Sequence, residues 1–119
     1  MLAAGTYIIM EHPKNSKAWL LPETIAFQKR WGLVFLEFDA CMFWDEGSPR
    51  TQKPTRLLTN APWLIQLFQR LSADGSTTIR CDGMHQHDAP LRGARAKAAA
   101  AYSHSFCSCC ASALEEADV

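Results

Sequence analysis

The chain has 119 residues, 48% of them hydrophobic and 20% charged, which is ordinary for one small globular domain and leaves no room for two. Twelve Lys and Arg cancel twelve Asp and Glu, so overall charge supplies no argument for nucleic acid or membrane binding. No apolar run approaches the ~20 residues needed to span a bilayer. The apolar opening runs into Glu11 without the basic start of a signal peptide, and an odd count of five cysteines, three of them crowded at Cys107, Cys109 and Cys110, does not make a secreted disulfide framework. The expectation is a soluble protein with reduced thiols in a reducing compartment, cytoplasm or nucleus, and no membrane partner.

In chain order, Thr6–Met10 is a branched and aromatic run that ends in Glu11-His12-Pro13. It reads as a buried strand of a parallel sheet, with pairing expected to stop near Glu11 because Pro13 cannot donate to a ladder. Ser16 suits the N-cap of a short turn that is expected to place Trp19 and Leu20 against the sheet. Pro22 and Glu23 then open a helix in which Leu21 and Ile25, and Phe27 and Trp31, fall four apart, and Gly32 closes it. Leu33–Phe38 is a second strand, and the strand, helix, strand order predicts a right-handed crossover with the two strands paired in parallel. A polar loop from Asp45 to Pro54 leads to a third strand, Thr55–Thr59. From Pro62, Leu64, Leu67, Phe68 and Leu71 recur at helical spacing, the clearest amphipathic pattern in the chain. Thr77–Arg80 predicts a short strand and Cys81–Leu91 a loop. From Gly93 the sequence turns Ala-rich, and Ser103 or Ser105 is a candidate cap for a last helix reaching about Ala117. The division expected is residues 1–92 as the α/β segment and 93–119 as an Ala- and Cys-rich helical tail, packed on it or partly disordered.

Three groups of residues carry chemistry. Glu11, at a strand's carboxyl end, stands where open α/β sheets bind ligands; it can accept hydrogen bonds from a ligand or cap the next helical turn. Cys81, His85 and His87 supply zinc-type ligands within seven residues, with Cys107, Cys109 or Cys110 able to supply a fourth. Cys41 follows a strand, a place suited to a nucleophile, although a thiol among apolar neighbours ordinarily belongs to the core. Gly47–Ala73 and Ala89–Leu114 contain no acid but carry Arg50, Lys53, Arg56 and Arg70, and Arg92, Arg95 and Lys97, a weak footprint for phosphate.

Glu11-His12-Pro13 together with the segment Gly47 to Asn60 resembles the second half of the catalytic domain of DNA cytosine-5 methyltransferases, in which a strand ends in Glu-Asn and a Gly-x-Pro-Gln-x-Arg-x-Arg loop enters another strand. Degenerate relatives in phage and in algal or dinoflagellate retroelement polyproteins look more similar still, through Ser16-x-x-Trp19, Asp39-x-Cys41, Lys53-Pro54-Thr55, the run from Cys81 to Gly93, and Ala101-Tyr102 with Cys107. The resemblance implies that Glu11 holds the pairing edge of a flipped cytosine, with His12, Gln52, Lys53 and Arg56 beside it on substrate or phosphate. His12 stands where the family has Asn, and Lys53-Pro54-Thr55 interrupts its Arg-x-Arg. The family's Pro-Cys nucleophile and Gly-rich S-adenosylmethionine loop lie upstream of such a Glu motif, and only ten residues precede Glu11 here.

The fold expected is therefore α/β, a small mainly parallel sheet with flanking helices, an incomplete Rossmann-like methyltransferase fold. The function expected is a truncated methyltransferase-like domain, inactive alone, with residual DNA contact. S-adenosylmethionine would bind only with an upstream half supplied by a complementing domain, and the exposed sheet edge allows self-association. The competing expectation is a small metal-binding or protein-interaction module built on Cys81, His85 and His87, with zinc as the ion.

Overall fold

The computed structural model describes residues 6–47, 50–88 and 103–117. Among these residues are four strands, β1 (Ile9–Pro13), β2 (Val34–Asp39), β3 (Pro54–Thr59) and β4 (Thr78–Ile79), with α1 (Pro22–Trp31) after β1, α2 (Pro62–Leu71) after β3 and α3 (His104–Ala117) after β4, and short 3-10 helices cover Lys17–Leu20 and Ala40–Phe43. The helix boundaries follow local chemistry. Pro22 and Pro62 sit in the first turns of their helices, where a missing N–H costs nothing. Gly32 ends α1 in the left-handed conformation, φ 62° and ψ 38°, and its N–H donates to the Gln28 carbonyl.

The fold is α/β, but the sheet is mixed rather than mainly parallel. Its order is β1-β3-β2-β4, with β3 antiparallel to both neighbours and only β2 and β4 parallel. The expected β1–β2 pair is therefore not formed; the two strands run in the same direction with β3 between them. The reason lies in the connection over residues 40–53, which holds a single 3-10 turn and no crossover helix. A chain that turns back without a crossover returns antiparallel beside the strand it has just left. β1 is consequently an edge strand, and its pairing does not stop near Glu11 but runs on through Pro13 opposite Thr55, so that Glu11 lies inside the strand rather than at its carboxyl end; a proline is tolerated on such an edge.

Strand alternation divides the sheet into two faces. Leu36, Phe38 and Leu57 point to one, where they pack with Leu64, Leu67 and Phe68 of α2 and Phe106 and Ala113 of α3. Leu58, Phe35 and Met10 point to the other and meet Trp19, Trp31 and Leu33. The result is three layers, helices covering both faces of one sheet. Trp19 is fixed by its indole N–H, which donates to the Pro13 carbonyl at 2.9 Å.

The helix expected to close the chain is α3, and it belongs to the principal core through Phe106 and Ala113. Ser103 caps it, its Oγ accepting from the Phe106 N–H at 3.0 Å. Asp45 adds a cap from far along the chain: its two carboxylate oxygens accept from the N–H groups of His104 at 2.7 Å and Ser105 at 2.9 Å, where the helix dipole also favours negative charge. Asp45→Ala should therefore cost about 1 kcal/mol, the typical value of a lost cap, as read from urea denaturation; an unchanged midpoint would show the cap to be idle. The expected basic segment Arg92, Arg95 and Lys97 and the Ala98–Ala101 run lie outside the described residues.

Candidate metal centre

The parallel neighbours β2 and β4 create the site. Both strands point their carboxyl ends to the same edge of the sheet, and each is followed two residues later by a cysteine, Cys41 after Asp39 and Cys81 after Ile79. Cys41 lies in the 3-10 turn Ala40–Phe43 and is buried, 1% exposed. Cys81 opens a loop that folds back on itself. Gly83 takes a φ of 72°, open to glycine at little cost, and His85 and His87 return towards the thiols. The ligand atoms of Cys41, Cys81, His85 and His87 all lie within 4.8 Å of one another. No other such group of three or more His, Cys, Asp or Glu occurs among the described residues.

Two distances within the group have the right size for one small ion. Metal–sulfur and metal–nitrogen bonds of about 2.3 and 2.0–2.1 Å at tetrahedral angles give sulfur–nitrogen edges of about 3.5 Å. Cys81 Sγ lies 3.4 Å from His85 Nε2 and 3.5 Å from His87 Nε2.

Surrounding groups hold this arrangement. Asp82 Oδ1 lies 3.2 Å from His85 Nδ1, with Nε2 turned to the thiols, a pairing of carboxylate and imidazole of the kind that orients metal-binding histidines. Asp39 Oδ2 accepts from the Cys81 N–H at 2.7 Å and from Gln52 Nε2 at 3.1 Å. Arg50 donates from Nε to the Cys41 carbonyl at 3.1 Å, and its backbone exchanges two hydrogen bonds with Asp88, one to the carboxylate and one from the Asp88 N–H. Burial, and then the neighbouring Cys81 and Asp39, push the Cys41 thiol up to about 12, against the smaller opposing pull of Arg50. A thiol so placed keeps its proton unless a cation takes the proton's place.

Three of the four metal-ligand candidates come together, Cys81, His85 and His87. The fourth, Cys107, does not join them; it is exposed on α3. Cys110, another candidate, faces the core with its thiol pushed up to about 11, mainly by burial. Cys41 lies beside them instead, although its place after a strand among apolar neighbours suggests a nucleophile or a core thiol rather than a ligand. Its signal was present in the sequence as a second cysteine just past a strand, but it counts only once β2 and β4 are neighbours.

The substrate-binding candidates are dispersed. Glu11 pairs with Leu57, which pairs in turn with Leu36 on its other side, whereas Arg56 pairs with His12 and Glu37, so alternation sends Glu11 and Arg56 to opposite faces. The pocket expected between them is not assembled. Arg56 is occupied elsewhere: it lies 4.8 Å from the Phe35 ring centroid and 5.7 Å from that of Trp19, and pairs with Glu37 at 3.3 Å. His12 meets Trp19 edge-on at 5.6 Å. Gln52 lines a cleft of about 130 Å³ with Lys14, Glu37, Asp39 and Arg80. Lys53 holds a φ of 36° just before β3, and its carbonyl accepts from Thr55 Oγ1 and the Ala40 N–H, which ties the incoming loop to the end of β2.

No protein-family profile, curated protein or solved structure matches the chain. No helix among the described residues is long and apolar enough to cross a membrane.

Proposed function

We propose that this chain is a small metal-binding module in which Cys41, Cys81, His85 and His87 hold one zinc-type ion. The single observation that carries the reading is the pair of sulfur–nitrogen distances at Cys81, 3.4 and 3.5 Å, which are the edges of a tetrahedron around zinc. Two thiolates and two imidazoles select a borderline-soft ion, zinc first, over calcium or magnesium, which take oxygen. Four protein ligands are the pattern of a structural centre. Its work here is to clamp the carboxyl ends of β2 and β4 and to give the loop Cys81–Asp88 a fixed shape. Met84, 85% exposed near the middle of that loop, makes it a surface that a protein partner would meet.

The reading as an inactive methyltransferase-like segment makes a different demand: DNA binding that weakens steeply with salt and needs no metal. Metal analysis of the purified full chain separates the two. The metal reading expects one zinc per chain, and one cobalt after exchange, with the visible absorption of a tetrahedral cobalt–thiolate centre. Protein that holds no metal after dialysis against zinc, yet retains salt-sensitive DNA binding, overturns it.

A further inference from the structure

The two histidines are held very differently. His85 has a side chain only 7% exposed, and an Asp82 carboxylate oxygen lies 3.2 Å from its Nδ1. Asp82 is itself placed by accepting from the Met84 N–H at 2.9 Å. His87 is exposed. Among the described residues its ring is met only by Cys81 Sγ at 3.5 Å and, edge-on, by the His85 ring at 5.0 Å, and no group other than that sulfur takes a hydrogen bond from its ring. The thiols follow the same gradient: Cys41 is buried at 1% exposure with its carbonyl tied to Arg50, and the Cys81 N–H is tied to Asp39.

We infer that Cys41, Cys81 and His85 form a fixed tripod and that His87 is an exchangeable fourth ligand, so that the ion offers one solvent-facing position to a small monodentate nitrogen or sulfur donor. This rests on the metal reading above and goes beyond it, because four equally held ligands would close the centre. The physical ground is that a metal–imidazole bond is helped by whatever holds the ring in place and raises its basicity, and loss of such an outer partner costs about 10–100-fold in affinity. His85 has that help and His87 does not. Exchange needs no redox partner: the neutral His87 ring leaves with its lone pair for solvent, and the incoming donor's lone pair takes the vacated position.

The test uses the full chain loaded with cobalt, with imidazole as the probe ligand. His87→Ala is expected to keep one cobalt per chain with affinity lowered by no more than about 100-fold. Millimolar imidazole should then shift its visible spectrum back to that of the unsubstituted protein. His85→Ala is expected to lose at least about tenfold more affinity than His87→Ala, and Asp82→Ala to weaken binding without changing the stoichiometry. The inference is overturned if His87→Ala loses cobalt as completely as His85→Ala, or if imidazole leaves the His87→Ala spectrum unchanged. Unsubstituted protein that takes up no cobalt overturns the metal reading itself, a separate outcome.

Discussion

Zinc-loaded protein is expected to lose about 15 °C of its melting midpoint when a strong chelator is added. An ion bound only by the folded chain stabilises it by roughly 4 kcal/mol when free metal stands about 1000-fold above the dissociation constant, and each kcal/mol moves the midpoint of a domain of this size by about 4 °C. The effect should be large because the ligands come from two places far apart in the chain, Cys41 and the Cys81–His87 loop. No preformed site survives unfolding, so the binding free energy is also folding free energy. Thermal melts followed by circular dichroism, with and without chelator, measure it. Cys81→Ser supplies the control: it should melt near the chelated midpoint and ignore the chelator. A midpoint that chelator leaves in place would mean that the four side chains hold no ion of consequence.

Phe38→Ala is expected to be the most damaging single core substitution, at about 3–5 kcal/mol, out of a total stability of roughly 5–15 kcal/mol for a protein of ordinary robustness. Phe38 is 3% exposed. Its ring stacks on Phe106 with centroids 4.6 Å apart and meets Phe43 at 5.6 Å and Phe68 at 5.9 Å edge-on. One side chain of β2 therefore joins the 3-10 turn that carries Cys41, α2, and α3. Truncation opens a cavity against all three, and α3, whose buried contacts are Phe106 and Ala113, loses its principal one. Urea unfolding should read the whole loss, and helicity should fall before the sheet melts. Leu20→Ala, at a position 76% exposed, is the comparison and should stay within about 0.5 kcal/mol of the unsubstituted chain. A Phe38→Ala loss below about 1 kcal/mol would mean that the cluster repacks freely, contrary to its burial.

What could be read from the sequence was mostly local. Pro22, Gly32 and the spacing of Leu64, Leu67 and Phe68 fixed two helices because caps and one-sided burial act within a few residues. The strands were recognisable too, β1 displaced along the chain to Ile9–Pro13. Their order was not. Nothing in residues 40–53 says locally that the chain will return antiparallel, and that one choice moved β3 between β1 and β2. The same limit separated Glu11 from Arg56: in a sheet, one step of register decides which face a side chain joins, and Glu11 opposes Leu57 rather than Arg56. The metal centre divides along the same line. Cys81, His85 and His87 were visible together because they are close in the chain, whereas Cys41 reaches them only through the β2–β4 pairing, which no spacing encodes.

The strand order also has a consequence in time. Among the described residues the first strand has its only neighbour in a segment that ends at residue 59, and even the residue before it is tied there, with the Ile8 N–H donating to Asn60 Oδ1 and its carbonyl accepting from Thr59 Oγ1. A ribosome adding about 5–20 residues per second needs about 2–9 seconds to go from Pro13 to Thr59, and during that interval the opening segment has nothing of its own to pair with. Its docking is thus a late event in biogenesis, and the nascent protein carries an unmatched ladder of backbone donors and acceptors until β3 emerges.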